Sequence, residues 1–217
     1  TLKKYGVFKK RGLINGLLKL KQTFPTVYLD ELYYLDFYSL ERFGKTKLGA
    51  LLLYAKQSQN KEMIKEIYAI VKSRVERLIK NKNVVVTPHA GEFKRLFGEL
   101  PPDSKKERVL LVEKHAKENS VTILLKGPTD IVSDGHKTFL NVKKTPAMTV
   151  GGTGDVLSGL VAGMLSKNRN PIEAAAAAVF INGKAGTLAQ RKYGLHMMAT
   201  DLLEFIPAEM KPFDRVQ

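Results

Sequence analysis

A chain of 217 residues, 44% hydrophobic and 26% charged, has an ordinary globular make-up and is long enough to bury the core of one domain or two small ones. Cysteine is absent, which excludes disulfides, thiolate zinc sites and cysteine nucleophiles. No apolar run approaches the ~18 residues of a membrane span, and the start, TLKKYGVFKKRGL, lacks the apolar core of a secretory leader. No membrane association and a cytoplasmic location are therefore expected. The net charge of +15 is unevenly placed: residues 1–82 hold 18 Lys/Arg against 7 Asp/Glu, an excess of +11, and the remainder holds 18 against 14. Seven of the eight Tyr also precede residue 69. This shift in composition puts a boundary near residues 80–84. The basic first part could meet nucleic acid or another polyanion, although a solvated lysine-rich face is the favoured reading.

In chain order, Thr26 to Ala55 reads as mostly helical, with a break at Phe43-Gly44-Lys45. Within it SLERFGKT is not a phosphate loop, because Ser39 stands where the first Gly is needed. KEMIKEIYAIVKSRVERLIK, residues 61–80, is the clearest helix, with Ile64, Ile67, Tyr68, Val71, Val75 and Leu78 on one face. From residue 84 the pattern alternates. NVVVT is a short strand, EFKRLFG opens a helix, and Lys105 to Glu118 is another helix. VTILLKG is a β-branched strand ending at Gly127, and DIVSDGHKTFLNV is a hairpin turning at Asp134-Gly135. A helix then runs from about residue 155, a second from Pro171 through Ala189, and a short third from Ala199 to Phe205, opened by Thr200 or Asp201. The alternation predicts an α/β fold with a largely parallel sheet after a mostly helical first part.

Three polar loops follow strands: TPHAGE (87–92), KGPTD (126–130) and GGTGD (151–155). In open α/β sheets ligands sit beyond the carboxyl ends of the strands, where such loops converge. The glycine turn precedes a helix, so unpaired amides and a positive dipole end suit a phosphate. Lys126 offers a cation, and Asp155 could accept a proton from a hydroxyl or simply cap its helix. His89 could bind substrate, carry a proton or bond the backbone. His115, His136 and His196 have no partner spacing and read as structural. No HExxH or clustered carboxylate set points to a protein-held metal.

VVVTPHAGEFKRLFG, VTILLKGPTDIVSDG, GGTGDVLSGLVAGML and AAAVFINGKAG, followed by ATDLLEFIP, resemble in order and spacing the second half of the ADP/ATP-dependent NAD(P)H-hydrate dehydratases. These are repair enzymes of the ribokinase-like superfamily, and the resemblance covers residues 84–217. GGTGD is shared with related vitamin kinases. TPHAGE together with GGTGDVLSG is more specific, and Asn182 in the late helix matches the prokaryotic or archaeal form. The resemblance implies a ribokinase-like layered fold, a sheet flanked by helices. It also implies a reaction: a phosphoryl group passes from ADP or ATP, with Mg²⁺, to the ring hydroxyl of hydrated NADH or NADPH (NADHX, NADPHX), and phosphate then leaves. By position it makes Asp155 the catalytic base in contact with substrate and puts His89 at the hydrated dinucleotide. It gives the nucleotide to Lys126, Gly127, Pro128, Thr129, Asp130, Gly152, Thr153, Gly154 and Asn182. A homo-oligomer is expected.

Residues 1–83 depart from the family. The usual glycine-rich strand–loop–helix and Asp-Ala-Asp-like segment are not visible there, and Gly186-Thr187 replaces a Gly-Asp pair. The chain therefore reads as a truncated or fused form. The alternatives are a small-molecule vitamin kinase of the same superfamily and a non-catalytic anion- or nucleic-acid-binding protein built on a half-domain.

Overall fold

The computed structural model describes residues 9–10, 13–27, 31–34, 39–40, 44–58, 60–79, 83–142, 145–167 and 170–214. The chain divides into two compact units, Thr1–Lys82 and Asn83–Gln217. No helix among the described residues is long and apolar enough to cross a membrane.

In the first unit, β1 (Lys9–Lys10), β2 (Leu13–Asn15) and β3 (Tyr33–Tyr34) form a small antiparallel sheet, and α1 (Leu17–Thr23) follows β2. A second pair, β4 (Ser39–Leu40) with β5 (Gly44–Lys45), is also antiparallel. Two helices end the unit, α2 (Lys47–Ser58) and α3 (Lys61–Ile79). Asn60 sets the start of α3, its side-chain oxygen accepting from the amides of Glu62 at 2.9 Å and Met63 at 3.3 Å. Among the described residues, the helix expected over 26–55 is confined to α2. Aromatic residues such as Tyr33 and Tyr34 favour a pleated, half-buried surface over a helix. Residues 28–30, 35–38 and 41–43 of that span lie outside the described residues. Gly44-Lys45 is a strand paired with Ser39-Leu40, and the helix that follows starts at Lys47, capped by the Thr46 hydroxyl, which accepts from the Gly49 amide at 3.0 Å. On α3, Ile64 and Tyr68 of the apolar face stay 48% and 58% exposed.

The second unit is a layered α/β body. Its sheet runs β6 (Val85–Val86), β7 (Thr122–Leu125), β8 (Asp130–Ser133), β9 (Thr138–Asn141) in spatial order. β6 and β7 are parallel because α4 (Ala90–Phe97) and α5 (Lys105–Asn119) form the crossover between them. β7–β8 and β8–β9 are antiparallel. Their links are four-residue turns, too short for a crossover. The sheet is therefore mixed, not largely parallel.

Strand alternation supplies both faces. Ile123, Leu125 and Ile131 point to one side, where they meet Phe93, Val112 and Ala116 of α4 and α5. Leu124 and Val132 point to the other and meet α6 (Thr153–Lys167) and α7 (Pro171–Tyr193) through Leu157, Val161, Ile172, Ala175, Ala178 and Val179. The alanines let α7 approach closely. A third cluster, Ala147, Ala185, Ala189, Met197 and Leu202, joins the turn Pro146–Thr149 to α7 and α8 (Asp201–Met210). α8 extends past the expected Phe205 and carries Pro207 within it. β9 is the far edge, where Phe139 and Leu140 remain 43% and 45% exposed.

The β8–β9 turn is pinned beneath α5. Gly135 has φ +86°, and a Cβ there would lie 2.5 Å from the Lys117 Cβ and 2.6 Å from the Lys117 amide nitrogen. Gly135→Ala is expected to cost at least about 2 kcal/mol, from left-handed strain plus displacement of helix backbone. Urea unfolding of wild type and variant measures this, and a loss under 0.5 kcal/mol would show that the turn relaxes freely.

Candidate active site

The TPHAGE and KGPTD loops are placed side by side by the sheet itself. The parallel pairing of β6 and β7 continues past both strands, with the Lys126 amide donating to the Pro88 carbonyl at 2.8 Å and a bridge between His89 and Lys126. Both side chains thus emerge at the carboxyl ends of neighbouring strands. Thr87 at the end of β6 reaches across to Ser158 of α6, hydroxyl to hydroxyl at 3.3 Å.

His89 is the N-cap of α4. Its Nδ1 accepts from the amides of Gly91 at 3.0 Å and Glu92 at 3.2 Å, and Glu92 Oε2 accepts from the His89 amide at 2.8 Å, a reciprocal capping box. With Nδ1 committed as an acceptor, these bonds assign the neutral ring's proton to Nε2, which lies 3.5 Å from Glu92 Oε1 on an exposed side chain. Lys126 Nζ lies 3.5 Å from Glu92 Oε2. Burial pushes the Glu92 carboxyl up, but the hydrogen bond from the His89 amide and the charge of Lys126 outweigh it, and the carboxyl is held below its ordinary range. Glu92 was not singled out from sequence. Its signal was present: a Glu three residues after a capping position at the head of a helix.

The glycine turn sits opposite. Gly152, at φ +95°, adopts a backbone that L side chains rarely take, and α6 starts at the next residue. Gly152 O accepts from the Asp155 and Val156 amides at 3.0 and 3.1 Å, which leaves the Thr153 and Gly154 amides without a backbone acceptor. Lys126 Nζ lies 3.4 Å from where a Cβ on Gly154 would be. A cation and two free amides at a positive helix end thus face the same space, an arrangement that calls for an anion. Asp155 is the third residue of α6, not its cap, and is exposed.

Of the residues selected from sequence, His89, Lys126, Thr153, Gly154 and Asn182 line one cavity of about 310 Å³, together with Thr145, Met148, Thr149 and Leu157. Gly127, Pro128, Thr129, Gly152 and Asp155 lie outside its wall. Asp130, expected to line the nucleotide, is fully buried: Oδ1 accepts from the Gly127 amide at 3.2 Å and Oδ2 from Asn141 Nδ2 at 3.3 Å. It shapes the KGPT turn from beneath, because a buried carboxylate must be hydrogen-bonded and the turn amide supplies that bond. A larger cavity of about 540 Å³, lined by apolar residues such as Met164, Phe180, Met210 and Phe213, contains none of the selected residues.

Comparison with known proteins shows what the chain is similar to. The ADP-dependent (S)-NAD(P)H-hydrate dehydratase of Nitrosopumilus maritimus (strain SCM1) is 68% identical over 139 residues, 64% of this chain and 48% of that protein. The crystal structure of ADP/ATP-dependent NAD(P)H-hydrate dehydratase from Bacillus subtilis, co-crystallised with ATP/Mg²⁺ and soaked with CoA, superposes with a TM-score of 0.56 at 30% identity, over 61% of this chain and 50% of that one. A ribokinase-like superfamily protein from Enterococcus faecalis V583 superposes with a TM-score of 0.56 at 25% identity, over 70% of this chain and 52% of that one. The chain spans about half the length of the relatives it matches. The family model for NAD(P)H-hydrate dehydratase matches residues 51–208, so it takes in most of α2, all of α3 and most of the layered unit, and by this match the chain belongs to the NAD(P)H-hydrate dehydratase family.

Proposed function

We propose that this chain serves the nucleotide-dependent repair of hydrated NADH or NADPH. The terminal phosphoryl of ADP or ATP passes to the hydroxyl on the hydrated ring, leaving AMP or ADP. The phosphate ester then eliminates, the C–O bond breaks, a ring proton is lost, and inorganic phosphate and the restored double bond result. The observation that carries this reading is the Lys126 ammonium beside Gly154, at a helix end whose first two amides are free. Phosphoryl transfer asks chiefly for positioning and for charge stabilisation where charge develops, and this constellation offers both.

The residues divide the work by chemistry. Lys126 and the Thr153 and Gly154 amides hold the transferring phosphoryl. Asp155, one residue further along α6, takes the proton from the acceptor hydroxyl. His89 donates from Nε2 to the dinucleotide while its Nδ1 stays in the cap. Glu92 holds His89 and Lys126 in register. Gly127, Pro128 and Thr129 remain proposed as the outer nucleotide wall, on a turn whose shape Asp130 sets. Among the described residues no group of three His, Asp or Glu side chains could cage an ion. Mg²⁺ therefore fits as a companion of the nucleotide phosphates, where it would neutralise their charge. The family's Asp at the position of Thr187 is absent here, and the Thr187 hydroxyl instead donates to the Gly183 carbonyl at 3.1 Å.

Three outcomes test this. Lys126→Ala should weaken ADP binding about 10- to 100-fold by calorimetry, the loss of a charge-assisted contact; unchanged affinity would remove the phosphate from this cavity. Asp155→Asn should slow recovery of hydrated NADPH about 10²–10⁴-fold while ADP affinity stays within a few-fold; a rate near wild type would leave Asp155 a passive member of the first helical turn. The third outcome concerns pH. The Glu92 carboxyl is depressed below its ordinary 4.5, so its contribution to stability is fully present above that pH and is lost as pH falls through the lower folded value. Glu92→Gln should therefore be less stable than wild type at pH 7, with the gap closing below about pH 4, read by thermal melts across pH; parallel curves at all pH values would contradict this.

A further inference from the structure

We infer that Asn182 reads the heterocycle of the ligand: its side-chain amide pairs with the planar donor–acceptor edge that an adenine ring or a nicotinamide carboxamide presents. The inference rests on the proposed nucleotide site and adds which part of the ligand this residue recognises.

Asn182 lies in the middle of α7, 3% exposed, and its Oδ1 has no hydrogen-bond partner. A buried polar atom left unpaired is costly, and such groups call for an explanation. The contrast with Asn141 is close at hand. Asn141 Nδ2 donates to Asp130 Oδ2 at 3.3 Å and to the carbonyl of Val179, three residues before Asn182, at 3.2 Å. One amide on this part of α7 is fully employed in the fold, and the other is left over on the wall of the cavity that holds Lys126 and Gly154.

The surroundings of Asn182 suit a flat, neutral group. The anion-binding elements, Lys126 and the free amides of α6, belong to the glycine turn. Asn182 shares the cavity with Met148 and Leu157. Met148 packs its sulfur against Gly186, one turn along α7 from Asn182, where a Cβ would have no room. Its thioether is therefore held on the same face of the helix as the amide. Methionine and leucine flanks favour the faces of a ring, and a carboxamide favours its edge: asparagine matches an adjacent N–H donor and lone-pair acceptor with two hydrogen bonds. A phosphate oxygen would meet no charge at Asn182.

The test uses the full 217-residue chain and Asn182→Leu, close in size and without the amide. The ligand-free variant should melt no lower than wild type, since the unpaired group is gone. Its ADP affinity by calorimetry, or its KM for hydrated NADPH, should worsen about tenfold. A change confined to ADP assigns the contact to adenine, and one confined to KM assigns it to the carboxamide. The wild type should lose a similar factor toward the diphosphate of unsubstituted purine riboside, which lacks the amino group, or toward hydrated dinucleotide with a carboxylate in place of the carboxamide. The Leu variant should not add that loss to its own. This wild-type comparison stands even if the variant fails to fold. Wild type binding ADP and substrate while both analogues and the variant stay within twofold would overturn the inference alone. Wild type binding neither ligand would overturn the proposed function and this inference with it.

Discussion

Past the ends of β6 and β7, one backbone hydrogen bond, from the Lys126 amide to the Pro88 carbonyl, continues a parallel ladder for which the strands themselves are too short. The candidate site depends on it. Parallel pairing puts the two carboxyl ends together, so the loops that follow must leave the sheet side by side. His89 and Lys126 inherit their adjacency from that geometry. Glu92 then fixes both, one through its bond from the His89 amide and the other by charge. Without the extended ladder the capping box would still form within α4, but it would have no lysine to orient.

The layers behind the site serve the same end. Alternation along β7 and β8 sends Ile123, Leu125 and Ile131 to α4 and α5, and Leu124 and Val132 to α6 and α7. Each loop at the site is therefore the mouth of an element anchored on one face. α4 carries His89 and is held by Phe93, which is fully buried and lies 4.7 Å from Phe97 and 5.5 Å from His115, ring to ring. α6 carries the glycine turn and is held by Leu157 and Val161. The loop before it is tied down by Thr153, whose hydroxyl donates to the carbonyls of Met148 at 2.9 Å and Val150 at 3.0 Å. Rigid placement of this kind is what a reaction run by positioning requires.

Much of this was legible in the residues. The period of 3.6 located the helix at 61–79 by its apolar face, and Pro171 with the alanine run marked the later helix, which continues to Tyr193 past the expected Ala189. Asp134-Gly135 marked the hairpin because the turn demands a positive φ. The direction of β8 against β7 was misread: the alternation of strands and helices suggested a largely parallel sheet, while the four residues between Leu125 and Asp130 permit only a reversal. The tract before residue 46 was misread because its closely spaced Tyr and Leu fit a helical and a strand period alike. At the site, residue type suggested Lys126 and the glycine turn, but the burial of Asp130 and the pairing of Lys126 with Glu92 depend on contacts between distant segments. Asn182 entered only through family resemblance, since nothing in a helical run of small residues announces an amide without a partner.

The two ends of the sheet differ in a way that bears on handling the protein. β6 is two residues long and gives an incoming strand little to pair with. β9 is four residues long, and Phe139, Leu140 and, just beyond it, Val142 are exposed there at 43%, 45% and 62%. Within β9 itself, Thr138–Asn141, there is neither proline nor lysine; Lys137 lies in the turn before it, and Lys143 and Lys144 follow Val142 in the sequence. An open apolar strand is a template for another chain. An edge of this kind favours pairing with another chain, so a lysine in place of Leu140 is expected to help keep concentrated samples dispersed.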